Sequence, residues 1–297
     1  MRRLLGKLRA LILVVSTVSL VLPSTAMAEA LGPITFESSQ GYVIGGIHGQ
    51  PVPATVPNGT WSKLGPYDVM VAAVASYPAA AGYGFGSQAL RISNAVTSGS
   101  FGDQTFSPGL GDEAGESDAF NAGLSGGLRQ PHFDASFLIG TALSTVQPGL
   151  RMTVSPDRGD GARMSFLAFE DQPDGVHVIF VDVANRGPVG AVSNFQSSDI
   201  ATLSRDQSHL IQFSIDLKDG PHNDTVKIYI DSKLVKTGGT WEDYYRYDPE
   251  QSSQGNQVPT IDKLLFRQSG VPAAGTAGFG FLLDRVVLES SGFNMRK

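Results

Sequence analysis

His209-Leu210-Ile211-Gln212-Phe213-Ser214-Ile215-Asp216 is the stretch on which the fold class turns. Ile211, Phe213 and Ile215 fall on one side of an extended chain, and Gln212, Ser214 and Asp216 on the other. A period of two marks a strand with one buried and one wet face, as in an antiparallel sheet. Downstream, Val226-Lys227-Ile228-Tyr229-Ile230 runs into Asp231-Ser232 and then Lys233-Leu234-Val235. Two apolar, β-branched runs joined by a two-residue polar turn read as a hairpin.

The same pattern extends along the chain. Strands are predicted at 34–37, 88–93, 132–139, 151–155, 163–170, 176–183, 209–217, 225–230, 233–236, 260–267 and 279–289. No window keeps a helical apolar spacing over three turns, and only short helices are expected, at 197–202 and 241–247. Strands about every ten residues, without helices between them, predict an all-β antiparallel β-sandwich of jelly-roll type. Two Gly-rich stretches, 43–66 and 98–128, read as long loops, and long loops in compact domains are usually functional.

Residues 1–28 read as an address. Arg2, Arg3, Lys7 and Arg9 precede an apolar run from Leu11 to Leu22, and Ala26-Met27-Ala28 ends it as a small-x-small cleavage site. This is the secretory pattern, with an apolar run shorter than the roughly 20 residues of a membrane span. The expected organisation is a signal peptide at 1–28, one sandwich domain at 29–290 and a tail at 291–297. The expected destination is outside the cytoplasm of a bacterium.

Composition narrows the function classes. The 297 residues carry 22 basic and 28 acidic side chains, a net charge of −6, and no Cys. Losing residues 1–28 removes four basic groups and no acidic one, so the exported chain is more acidic still. No thiolate metal site, disulfide or thiol nucleophile is available. An acidic balance without a basic block argues against nucleic acid as a partner.

Further residues carry a resemblance. Ile34-Thr35-Phe36-Glu37 opens the domain, Trp61 follows Gly-rich sequence, and Ser208 to Phe213 precedes the hairpin. Gly280-Phe281-Leu282-Leu283-Asp284-Arg285-Val286-Val287-Leu288 closes it. This resembles the concanavalin A-like, laminin-G-like sandwich, and is most similar to uncharacterised exported bacterial proteins of that kind. The resemblance implies that the first and last strands pair. It also implies a lectin, a polysaccharide-degrading enzyme or an adhesion module, because the superfamily holds all three. In many exported sandwiches a Glu ending the first strand and an Asp on the last bind structural Ca²⁺; Glu37 and Asp284 occupy those places. The glucanase string Glu-x-Asp-x-x-Glu is absent from this sequence, and Arg129-Gln130-Pro131-His132 departs from the Gln-x-His strand of alginate-lyase-like members.

The densest aromatic cluster is Trp241-Glu242-Asp243-Tyr244-Tyr245-Arg246-Tyr247-Asp248. Rings cover the C–H faces of sugars, while acids and Arg bond the hydroxyl rim. Trp241, Glu242, Tyr244, Tyr245, Arg246 and Tyr247 are therefore candidate glycan contacts, or else a flap packed on the sandwich. His132 and Arg129 are candidates for base and carboxylate neutraliser in a lyase. Asp157-Arg158-Gly159-Asp160-Gly161 reads as an acidic turn with an Asp–Arg pair, and alternatively as oxygen ligands for Ca²⁺. The leading expectation is a secreted carbohydrate-binding or adhesion protein. The alternatives are a glycoside hydrolase or polysaccharide lyase on the same fold, and a structural exported protein.

Overall fold

The computed structural model describes residues 29–51, 59–97, 104–111, 130–252 and 258–291. Sixteen strands are formed among these residues. The first six are β1 (Glu29–Ile34), β2 (Gly45–Gly46), β3 (Ser62–Lys63), β4 (Val69–Ala73), β5 (Gln88–Ile92) and β6 (Gln104–Phe106). Next come β7 (His132–Thr141), β8 (Arg151–Asp157), β9 (Leu167–Gln172), β10 (Gly175–Ala184), β11 (Asn194–Leu203) and β12 (His209–Asp216). The hairpin strands are β13 (Thr225–Ile230) and β14 (Lys233–Gly238). Two short helices follow, α1 (Glu242–Tyr247) and α2 (Pro249–Ser252), then β15 (Lys263–Arg267) and β16 (Phe281–Ser291).

The strands make two antiparallel sheets. One runs β14-β13-β12-β7-β16-β5-β4-β2, with β1 paired to β16; the other runs β11-β10-β9-β8-β15-β6-β3. The fold is the expected all-β sandwich. Alternation puts Phe133, Phe137 and Phe213 of the first sheet against Phe169, Phe180 and Phe266 of the second, all wholly buried. Phe137 meets Phe169 and Phe266 edge-on at 6.2 and 5.8 Å. Burying each such ring contributes about 1.5–3 kcal/mol.

The first and last strands pair, as the resemblance implied, from Glu29↔Ser290 to Ile34↔Val286. The first strand differs in its limits from the expected 34–37. Phe36 adopts φ 58, which takes the chain out of the extended region, and its ring is buried against Tyr42 and Trp61. Residues 197–202 are not a helix. They lie within β11, which pairs with β10 from Val176↔Leu203 to Ala184↔Asn194. A ladder of that length, interrupted by one register shift between Val178 and Ile179, outweighs a weak local helix preference. The helix expected at 241–247 is present as α1.

Candidate functional site

Helix α1 sorts the aromatic cluster by spacing. Residues three and four apart share a helix face. Trp241, Tyr244 and Tyr245 share one side, and Glu242 and Arg246 share another. Trp241 stacks on Phe166 at 5.8 Å and 10° and donates Nε1–H to the Val181 carbonyl at 2.9 Å. The Tyr245 hydroxyl donates to the Arg163 carbonyl at 3.0 Å. These rings pack onto the second sheet and its connections, so only their margins meet open space. The flap reading thus describes most of their surface.

The ionic side is closed. Arg246 Nε donates to Glu242 Oε2 at 3.2 Å, and both side chains are buried. Burial raises the Glu242 pKa, against the lowering effects of the Asn223 N–H and Arg246. Arg246, with no exposure at all, cannot reach a ligand at the surface. The Tyr247 ring stacks on His222 at 5.7 Å, and His222 Nδ1 lies 2.5 Å from Asp243 Oδ2. Burial pushes the hydroxyl of Tyr244 up to about 12 and raises that of Tyr245, so both remain neutral donors.

Open space lies where Tyr244 and Tyr245 face the turn after β8. Two adjoining hollows of about 460 and 270 Å³ share Gly161, Tyr245, Glu250 and Gln251. The larger adds Gln104, Arg158 and Asp160, and the smaller adds Arg163, Arg267, Phe195, Trp241 and Tyr244. The turn is built by Asp157, whose Oδ1 accepts the N–H of Gly159 at 2.6 Å and of Gly161 at 3.1 Å. Gly159 and Gly161 have φ +112 and +97, a region that L side chains rarely adopt. The Arg158 guanidinium donates to Asp160 at 2.6 Å, so the Asp–Arg turn read from the sequence is present. Asp157 is wholly buried, and burial pushes its carboxyl up to about 6. From sequence this segment is legible only as a turn or a Ca²⁺ loop. Nothing in the sequence singles out Arg163, Arg267, Gln104, Glu250 or Gln251.

His132 stands elsewhere. It is buried on the first sheet, with Nε2 3.0 Å from Asp134 and Nδ1 2.8 Å from Asp216. With both ring nitrogens committed to these two carboxylates, it faces neither the double hollow nor the aromatic cluster. Arg129 lies outside the described residues. Another hollow, of about 340 Å³, is lined by Leu31, Pro33, Ile34, Tyr42, Pro51 and Pro108 and has no charged side chain.

Glu37 and Asp284 do come together, across the segment preceding β5. Glu37 accepts the Gln88 N–H at 3.0 Å and the Ser87 hydroxyl at 2.5 Å. Asp284 accepts the N–H of Arg285 at 2.8 Å and of Gly86 at 3.3 Å. Burial pushes Asp284 up to about 6, and the neighbouring Glu37 charge adds to the rise. Glu37 is held below its ordinary value: burial raises it, and the hydrogen bonds from Ser87 and Gln88 outweigh that. Among the described residues, no group of three or more His, Asp and Glu is arranged to hold a metal ion. A Ca²⁺ here would take two carboxylates and draw the rest of its roughly six to eight oxygens from backbone and water.

No protein-family model matches the sequence, and no curated protein matches it. Solved structures of partly similar shape include a sialidase, at 11% identity and TM-score 0.39. The match covers 77% of this chain and 16% of the sialidase, so the chain spans about a sixth of that protein's length. An endo-β-1,4-glucuronan lyase from the fungus Trichoderma reesei matches at 14% identity and TM-score 0.41, over 78% of this chain and 90% of its own. The CBM2 module of the evolved Dit protein of Lactobacillus casei BL23 phage J-1 matches at 12% and 0.39, over 91% and 99%. At these scores the likenesses bear on neither ligand nor activity. No helix among the described residues is long and apolar enough to cross a membrane.

Proposed function

We propose that the chain is an exported carbohydrate-binding protein of the concanavalin A-like kind, and that its sugar site is the double hollow beside α1. The observation that carries this reading is the convergence of ring margins and hydroxyl-bonding groups on two adjoining hollows. Tyr244 and Tyr245 face Arg158, Arg163, Arg267, Gln104 and Gln251 there. The larger hollow falls within the roughly 300–1,000 Å³ of small-molecule sites, and the smaller extends it. Planar Arg donors and Gln amides suit a rim of hydroxyls.

Binding is favoured over hydrolysis by the two acids of the turn, Asp157 and Asp160. A glycosidase needs one acid with a raised pKa in contact with the substrate. Asp160 lines the hollow, but the Arg158 guanidinium outweighs burial and holds its carboxyl low. The carboxyl that is raised, Asp157, is sealed behind the turn. Within the same reading, Glu37 and Asp284 hold a structural Ca²⁺ that ties the turn after β1 to β16 beside the segment before β5.

A panel of neutral and acidic polysaccharides, assayed for retention by affinity electrophoresis and for released sugar, tests the function. Retention without product is expected. Release of reducing or unsaturated sugar would overturn binding in favour of catalysis, and no retention by any polymer would overturn the glycan reading.

A further inference from the structure

Ser204, His209 and Asp231 meet at the surface, away from the double hollow. Ser204 directly follows β11, His209 opens β12, and Asp231 is the first residue of the turn between β13 and β14. His209 Nδ1 lies 2.7 Å from Asp231 Oδ2, and Nε2 lies 3.3 Å from Ser204 Oγ. The second Asp231 oxygen accepts the Leu210 N–H at 2.9 Å, and the Asp231 N–H donates to the Leu210 carbonyl at 2.9 Å. The carboxylate is thereby fixed against the ring. With Nδ1–H donating to Asp231, Nε2 is the acceptor that faces the serine hydroxyl.

The surroundings suit a nucleophile. Ser204 is exposed, while His209 is 6% exposed, so the attacking oxygen is reachable and the base is sheltered. The loop between them is pinned on two sides. The buried Tyr83 donates its hydroxyl to the Arg205 carbonyl at 2.6 Å, and the Ser208 hydroxyl donates to the Tyr83 carbonyl at 2.7 Å. The Arg205 guanidinium lies 2.6 Å from the buried Asp171 carboxylate. A site held by rigid supports keeps its geometry. One competitor is present: the Ser204 hydroxyl also bonds the exposed Asp206 carboxylate. Rotation of that hydroxyl from Asp206 to Nε2 readies it for attack.

We propose that Ser204, His209 and Asp231 form a hydrolytic triad for carboxylic esters carried on a larger molecule. An exposed serine receives an acyl group that projects from a polymer rather than a small molecule enclosed in a pocket. Ser204 Oγ adds to the ester carbonyl carbon as its proton passes to His209 Nε2. The bond to the alcohol oxygen breaks, and the departing alcohol takes that proton. Water then adds to the acyl-serine while Nε2 accepts a proton from it. Ser204 departs with the proton back on its oxygen, and a carboxylic acid is released. The balance is ester plus water to acid plus alcohol. Asp231 orients the ring and stabilises the imidazolium throughout.

The full chain is tested with a fluorophosphonate probe and with 4-nitrophenyl acetate. The expected results are a phosphonyl adduct on Ser204, located by peptide mass, and ester hydrolysis above the buffer rate. Ser204→Ala should remove the adduct and lower hydrolysis by about 10²-fold or more, and His209→Gln should slow labelling to a similar degree. Because Ser204 is exposed, its Ala variant keeps the fold and serves if the His209 variant does not. No adduct on Ser204, labelling indifferent to His209→Gln in folded protein, or hydrolysis unchanged by Ser204→Ala would each overturn the assignment. Glycan retention is read separately, so either proposal can fail alone.

Discussion

His132 sits between Asp134 and Asp216 with both ring nitrogens bonded, in a site almost closed to water. Burial disfavours the imidazolium, but the two carboxylates outweigh it and its pKa is raised. A histidine with a raised folded value stabilises fully below its unfolded value of about 6.5 and loses that contribution as pH rises through the folded value. The melting-temperature gap between the protein and His132→Gln should therefore be wider at about pH 5.5 than at about pH 8.5. A gap independent of pH would contradict the pairing. Asp284 works in the opposite sense to an ordinary salt-bridged acid. Its folded value of about 6 lies above the ordinary carboxyl value, so the native state keeps the proton longer and stability falls as pH rises from about 4 to about 6. Ca²⁺ would replace that proton. Millimolar Ca²⁺ should raise the melting temperature more at about pH 7.5 than at about pH 5, and Asp284→Asn should lose most of the gain. An equal shift in the variant, or none in the protein, would remove Ca²⁺ from Glu37 and Asp284.

The hairpin of β13 and β14 shows what was readable at the scale of elements. Its alternation and its Asp231-Ser232 turn stand in consecutive residues, and the structure forms both there. Asp231 and Ser232 have φ 50 and 66, the left-handed pair of a type I′ turn, where Gly is favoured at the second position. Ser232→Gly should stabilise the protein by about 0.5–1 kcal/mol in urea unfolding, by removing left-handed strain. A loss of stability would contradict the turn type. β11 was not readable in the same way. Its outer residues are mostly exposed and polar, and its conformation comes from the ladder with β10 rather than from its own preferences. For α1, the aromatic composition was plain in the sequence. Packing of the cluster on the sandwich was one of the two readings; what the spacing did not reveal is its partners, Phe166, Phe195 and the second sheet. That depends on partners 46 or more positions away.

At the scale of the molecule, the sandwich serves mainly to bring distant segments together. The double hollow takes Gln104 from β6, Arg158, Asp160, Gly161 and Arg163 from the turn after β8, Tyr244, Tyr245, Glu250 and Gln251 from the helices and Arg267 from β15. Arg267 stands opposite Gln104 because β15 pairs with β6, and near the β8 side because β15 also pairs with β8. Local sequence carries no sign of that register, which is why the aromatic half of the site could be read and the arginine half could not. The Ser204–His209–Asp231 constellation was hidden for the same reason, since Asp231 reaches His209 only through the pairing of β12 with β13. This assembled hollow is the proposed glycan site. Calorimetric titration of the best-retained polysaccharide into the protein and into the double variant Arg158→Ala/Gln251→Ala decides whether it is. Both side chains stand at the margin of the hollow and outside the core, so the variant should keep its melting temperature. The Kd of the variant should be weakened by about tenfold or more, as loss of hydrogen bonds to a ligand implies. An unchanged Kd in a folded variant would place the glycan elsewhere and contradict the proposed site.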